Sequence, residues 1–206
     1  MDELTDDEKV TLDAYNSKTT SWAAAHDDED FWENEMKMFK KLLPKGDLLE
    51  VGVGSGRDAR FFIRNKDYSY LGTDVSTELL RVAKTRNPAA TFLESSIYSL
   101  PKLGKKFDGF WCAAVLLHIP RNRLLESLQS LAQVTKTGGI GFISTKLGAG
   151  DGFEPYSADK EKSRLIVYYS KEELESALIE CSFEILWDSV ITERHNKWQS
   201  FIIRKN

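Results

Sequence analysis

Glycine stands at positions 52, 54 and 56, directly behind the run Leu48-Leu49-Glu50-Val51. Each glycine loses more backbone freedom on folding than any other residue, so so dense a cluster is costly inside a strand or a helix. It is used where the backbone must turn sharply or come close to something. "LLEVGVGSGRDA" (48–59) therefore predicts a short buried strand, a glycine turn, and a helix entered through that turn.

The same alternation continues along the chain. "YSYLGTD" reads as a strand, and "STELLRVAKTRN" as a helix with Ser76 or Thr77 as its N-cap. "ATFLE" is a strand and "SSIYSLPKLGKK" a loop or short helix. "FDGFWCAAVLLHI" is a strand that runs on past its end. "PRNRLLESLQSLAQVTKT" is a helix with Pro120 in its first turn and Gly138-Gly139 at its end. "IGFISTKL" is a strand, residues 148–163 a long polar loop, and "SKEELESALIEC" a helix with a Ser170/Glu173 capping box. "FEILWDSVITE" and "KWQSFIIRK" form a hairpin around "RHN". Ahead of all this, the first eight residues read as loose. Val10 to Leu43 reads as helical with an interruption near "AAAHDDED", and Phe31, Met38, Phe39, Leu42 and Leu43 share a face before Pro44, Lys45 and Gly46 stop it. Strand-helix alternation closed by a hairpin predicts an α/β fold, a mostly parallel doubly wound sheet with helices on both faces. Such sheets bind ligands beyond the carboxyl ends of their strands, where the strand order reverses.

Composition limits the function. A net charge of −4 and a pI near 5.5 offer no broad electropositive face for duplex nucleic acid. Cys112 and Cys181 form no CxxC or metal spacing and read as reduced thiols of a cytoplasmic protein. The acidic start "MDELTDDEKV" is no signal peptide, and no apolar run reaches the roughly 20 residues of a membrane span. The charged run His26-Asp27-Asp28-Glu29-Asp30 reads as a solvated cap, so no metal is expected.

The glycines select among nucleotides. G-x-G-x-G departs from the dinucleotide fingerprint G-x-G-x-x-G, whose third glycine would fall at Arg57, and no Lys-Ser/Thr pair follows to make a P-loop. Glu50 ends the first strand and Asp74 the second. Asp74 suits two ribose hydroxyls and Glu50 an ammonium, a pairing that points to adenosine with a cationic tail.

On these residues the chain resembles the class I S-adenosylmethionine-dependent methyltransferases. The likeness is carried by "LLEVGVGSG" (48–56), "YLGTDVS" (70–76), "FLESSIYSLP" (92–101), "FDGFWCAAVLLHIP" (107–120), "TKTGG" (135–139) and the closing hairpin. It implies a Rossmann-like sheet of seven strands with an antiparallel C-terminal hairpin strand. It also implies one domain over 1–206, with residues 1–45 a helical lid and 46–206 the catalytic core. By the same resemblance Gly52, Val53, Gly54 and Gly56 pack on the methionine part of S-adenosylmethionine. Asp74 holds the ribose, Val75 packs on the adenine, Ser96 and Ile97 face its edge, and Ala113 and Ala114 line the sulfonium end. Tyr15 folds over the cofactor. Arg57 either reaches the cofactor carboxylate or is a solvated first-turn residue. His118 ends the fourth strand, either as the general base or as a ring that caps the loop closed by Pro120. The family often has Asp where Ser96 stands. "FEPY" (153–156) follows the fifth strand instead of the fourth and lacks the second proline of the base-methylating motif.

The expected reaction is in-line methyl transfer to O, N or S of a small molecule, leaving S-adenosylhomocysteine. The acceptor wall comprises the N-terminal helices, 116–121 and 147–166. Lys146, Arg121 and Arg164 there, beside Tyr156, Trp22 and Tyr169, suit a small, partly anionic, aromatic acceptor. The other readings are a tRNA wobble-uridine methyltransferase, on "VLLHIP" and "YYSKEEL", and a non-catalytic S-adenosylmethionine-binding protein. The chain is expected to be a monomer or a homodimer.

Overall fold

The computed structural model describes residues 4–64, 66–193 and 196–206. Strand β1 (Gly46–Val51) lies between β2 (Tyr68–Asp74) and β4 (Phe107–Ala113), and β3 (Thr91–Glu94) flanks β2. On the other side follow β5 (Thr135–Lys146), β9 (Asn196–Lys205) and β8 (Phe183–Glu193). The seven-stranded order is β3-β2-β1-β4-β5-β9-β8, with β9 antiparallel to both of its neighbours. The order reverses between β1 and β4, so the loops that leave these two strands meet at the switch point. A Cβ at Gly52 (φ +68°) would lie 2.3 Å from Val115, which requires glycine there on both counts.

Alternation along each strand sends neighbouring residues to opposite faces. Leu49, Phe110, Cys112 and Ile143 face one layer, made by α6 (Leu124–Val134), α7 (Lys171–Glu180) and the 3₁₀ turn Ile97–Leu103. Leu48, Trp111, Phe142 and Ile202 face the other, where they meet Trp32, α3 (Glu33–Leu42) and α4 (Ala59–Arg64). Trp111 stacks on Phe142 at 3.7 Å between centroids. Burying each such side chain contributes about 1.5–3 kcal/mol. α5 (Thr77–Arg86) is capped by Ser76, whose hydroxyl accepts from Leu79 N–H.

Several boundaries differ from the sequence reading. Within the stretch expected to be loose, residues 5–8 are ordered as a cap: α1 (Asp6–Ser17) begins on a Thr5/Glu8 capping box. A further break at Lys18 separates α1 from α2 (Thr19–Ala25). The helix after the glycine turn is only α4. α6 stops at Val134, and Thr135 already pairs with Phe107 as the first residue of β5. The predicted loop at 148–163 contains an antiparallel hairpin of its own, β6 (Asp151–Tyr156) and β7 (Asp159–Val167). The turn expected at "RHN" includes Arg194 and His195, which lie outside the described residues. Among the described residues no helix is long and apolar enough to cross a membrane.

Candidate active site

A cavity of about 770 Å³ opens beyond the carboxyl ends of β1, β2 and β4, roofed by α1 and α2. Glu50, Gly52, Val53, Gly54, Arg57, Asp74, Val75, Ser96, Ile97, Ala113, Ala114, His118 and Tyr15 all line it. Gly56 stands behind the loop, where its carbonyl accepts from Asn87 Nδ2 at 2.9 Å.

One end is acidic. Asp74 Oδ2 accepts from Gly54 N–H at 2.8 Å, and Oδ1 from Ser76 N–H at 2.9 Å. The Val75 N–H bonds the carboxylate as well, which leaves one of its four lone-pair sites for a ligand. Burial raises the Asp74 pKa, and the backbone N–H groups oppose the rise. Glu50 is 3% exposed and accepts from Tyr70 Oη at 2.6 Å. Burial, then the nearby Asp58, push its pKa well up, against the Tyr70 hydrogen bond and Arg57, which pairs with Asp58 (Nε to Oδ1 2.6 Å). Asp58 also accepts from Trp111 Nε1 at 2.9 Å. Sequence reasoning passed over Asp58, although it stands two residues past Gly56 and its carboxylate had to find a partner.

Glu50 makes a prediction about stability. Its folded pKa lies above the ordinary value of 4.5, so the folded chain keeps a proton that the unfolded chain releases. That stabilisation is complete below 4.5 and is lost as pH rises through the folded value. Glu50→Gln keeps the Tyr70 bond and cannot ionise. Its melting temperature should exceed that of the wild type at about pH 8 and match it near about pH 4, by calorimetry. The same variant should bind S-adenosylhomocysteine about tenfold more weakly for want of a charge-assisted bond.

The other end is aromatic and basic. Tyr15 Oη lies 2.9 Å from His118 Nε2, and Arg164 Nη1 donates to Tyr15 Oη at 2.9 Å. His118 Nδ1 lies 2.8 Å from the Leu165 carbonyl, which can only accept. Nδ1 therefore carries the proton, and Nε2 accepts from the Tyr15 hydroxyl. Burial, then Arg164, hold the His118 pKa down at about 3. Both ring nitrogens are thus engaged within the protein, and Tyr15 is the group that His118 touches. Ala114 holds a left-handed φ of +57°, fixed by its N–H to Ser144 at 3.1 Å. Such backbone in a non-glycine residue costs of order 1–3 kcal/mol and is found where a site demands it.

Of the predicted acceptor wall, Lys146, Arg164 and Trp22 line the cavity. Tyr156 packs behind Tyr15 at 5.4 Å. Arg121 does not join them: it pairs with Glu173 at 2.6 Å and lies over Tyr169, which belongs to the core beneath α7.

The roof is tied down on several sides. Asn16 accepts from Ser76 Oγ at 2.6 Å, Thr11 Oγ1 accepts from Leu165 N–H at 2.9 Å, and Asp13 pairs with Lys162 at 2.6 Å. Asp27 is clasped by Arg60 and Arg86, and Glu29 by Arg60 and Arg64. Two acids of the charged run, Asp27 and Glu29, thus serve as ion-pair anchors. The Trp22 ring lies over the glycine turn, 3.4 Å from where a Cβ on Gly54 would stand.

Residues 48–139 match the family model of the methyltransferase domain. An uncharacterized protein of Methanocaldococcus jannaschii is 28% identical over 74% of this chain and 69% of its own length. A malonyl-[acyl-carrier protein] O-methyltransferase of Hamiltonella defensa is 31% identical over 52% of this chain, an alignment that spans 42% of that protein. The 1,6-didemethyltoxoflavin-N1-methyltransferase of Burkholderia thailandensis, solved with 1,6-didemethyltoxoflavin and S-adenosylhomocysteine, shares the fold at TM-score 0.78. It has 18% identity and covers 98% of this chain and 92% of its own. Strand order, the glycine turn between Glu50 and Asp74, and the matched stretch agree: residues 48–139 are a methyltransferase-domain segment, and the chain has the Rossmann-like fold of the S-adenosylmethionine-dependent methyltransferases.

Proposed function

We propose that the protein transfers a methyl group from S-adenosylmethionine to an O, N or S atom of a small-molecule acceptor. The observation that carries this reading is the two-ended cavity, acidic at Glu50 and Asp74 and aromatic-basic at Tyr15, His118 and Arg164. The acidic end fits the cofactor. Glu50 is a buried carboxylate whose nearest cation, Arg57, is already engaged by Asp58, so it suits an ammonium. Asp74 keeps a lone pair for a ribose. The backbone of the Gly52–Gly56 turn, Val53 included, would pack on the methionine part. Val75, Ser96 and Ile97 would flank the adenine, and Ala113 and Ala114 the sulfonium. Arg57 would act on the cofactor through Asp58 more than by itself. Bound there, S-adenosylmethionine supplies an activated methyl group, so the protein needs no nucleophile of its own.

The chain's work is then alignment, worth up to roughly 7–11 kcal/mol, and handling of any proton on the acceptor. His118 serves as the base by way of Tyr15. The Tyr15 oxygen takes the acceptor's proton while its own passes to His118 Nε2, and Arg164 steadies the oxygen. The low pKa of His118 keeps that lone pair available and makes it a weak base, which favours an acceptor that ionises easily.

Residues 1–45 act as a lid on the core, within one domain. Addition of S-adenosylhomocysteine should protect the amides of residues 10–30 from hydrogen exchange, since the ligand would lie against Trp22 and Tyr15. Equal exchange with and without it would defeat the lid. A screen of small acceptors with labelled cofactor tests the reaction itself. Methyl transfer to tRNA alone, or to nothing despite cofactor binding, would overturn the small-molecule reading.

A further inference from the structure

We infer that the methyl acceptor carries a carboxylate that seats on Arg164. This rests on the methyltransferase reading for there being an acceptor, and on the surroundings of Arg164 for its charge. Arg57, Lys146 and Arg164 are the lysine and arginine side chains among the described residues that line the cavity. Two of them are already neutralised. Arg57 pairs with Asp58 at 2.6 Å, and Lys146 with Glu154 at 3.4 Å.

Arg164 has no such partner. Among the described residues no carboxylate lies within ion-pair distance of it. Its ladder partner across β6–β7 is Glu154, yet that side chain turns away, to Lys146 and to Tyr168 Oη at 2.6 Å. Asp13, on the facing helix, is taken by Lys162. What Arg164 does touch is uncharged. Nη1 donates to Tyr15 Oη, and the guanidinium lies 5.4 Å from the Tyr15 ring centroid and 4.9 Å from that of Tyr156. Nε is buried with no acceptor, and Nη2 makes no hydrogen bond among the described residues.

A guanidinium set in a protein wall without an anion is a net destabilisation, and a ligand anion relieves it. The two rings also hold the side chain in place, so little rotamer freedom is left to lose on binding. Its planar fork matches a carboxylate edge to edge. Asp74 at the far end disfavours an anion there, which orients the acceptor with its carboxylate toward Arg164. A phosphate fits less well. Its second negative charge would find Lys146 already offset by Glu154 and His118 neutral.

The test uses benzoate, benzamide and phenyl phosphate as probes of the full-length protein with S-adenosylhomocysteine present, by calorimetry and saturation-transfer NMR. Wild type should bind benzoate in preference to the other two. Arg164→Met should weaken benzoate about tenfold or more, the loss expected for a hydrogen bond to a charged group, and Arg164→Lys should weaken it less. Affinity for S-adenosylhomocysteine should be unchanged in both variants. Equal binding of benzamide, tighter binding of phenyl phosphate, no binding of benzoate, or full benzoate affinity in Arg164→Met would each overturn the inference. So would loss of S-adenosylhomocysteine affinity in Arg164→Met, which would give Arg164 to the cofactor. The comparison of probes on wild type stands even where the variants fold poorly. If wild type does not bind S-adenosylhomocysteine at all, the methyltransferase reading fails separately, and the anion preference is still measured without it.

Discussion

Tyr15→Phe should lower turnover by about 10²-fold or more, with affinity for S-adenosylhomocysteine held within a few-fold. The hydroxyl is the joint of the chain from Arg164 through Tyr15 to His118 and the Leu165 carbonyl. Phenylalanine keeps the ring packing against Trp22 and Tyr156 and removes only that joint. His118→Gln should fall by a similar factor, and the double variant should be little worse than either, because the two act as a unit. Additive losses would separate their roles. Turnover and melting temperature measured on one preparation decide the matter for His118. A lowered melting point with a full rate per folded molecule would make it a ring that only braces the loop before Pro120.

Asp74→Ala should weaken S-adenosylhomocysteine by at least about tenfold, since charge-assisted hydrogen bonds are among the strong ones. The loss has two parts. The ribose loses its acceptor, and the N–H groups of Gly54 and Ser76 lose the carboxylate that sets the glycine turn against the start of α5. Asp74→Asn, which keeps one acceptor oxygen, should fall between wild type and the alanine variant. A dissociation constant by calorimetry that is the same for all three would remove Asp74 from the cofactor site.

Much of the sheet was legible because buried parallel strands read as apolar runs, and "LLEV" and "FWCA" are such runs. The order of Glu50, the glycines and Asp74 made the acidic end of the cavity legible, since those residues are close in sequence or fall at successive strand ends. The hairpin β6–β7 was not legible. Asp151, Gly152 and Phe153 are exposed, Pro155 breaks the pattern, and no alternation survives in a strand with one open face. The end of α6 was misplaced because Gly138 and Gly139 looked like a helix stop. They sit inside β5, where Gly138 takes a φ of +79°. Tyr15, His118 and Arg164 were each noticed singly, but nothing local shows that they meet, for 103 residues separate the first two and 149 the first and last. Asn16 and Ser76 gave no signal of their contact at all.

The hairpin β6–β7 forms a separate two-stranded sheet, outside the seven-stranded ladder that carries the glycine turn and Asp74. Substitutions in it shift the register of no strand that positions the cofactor. Arg164 and Glu154, which line the cavity at its Tyr15 end, both lie on this hairpin, and α1 packs along β7. One end of the cavity can therefore change its lining through this hairpin and the helix above it while the strands that carry the glycine turn and Asp74 keep their register.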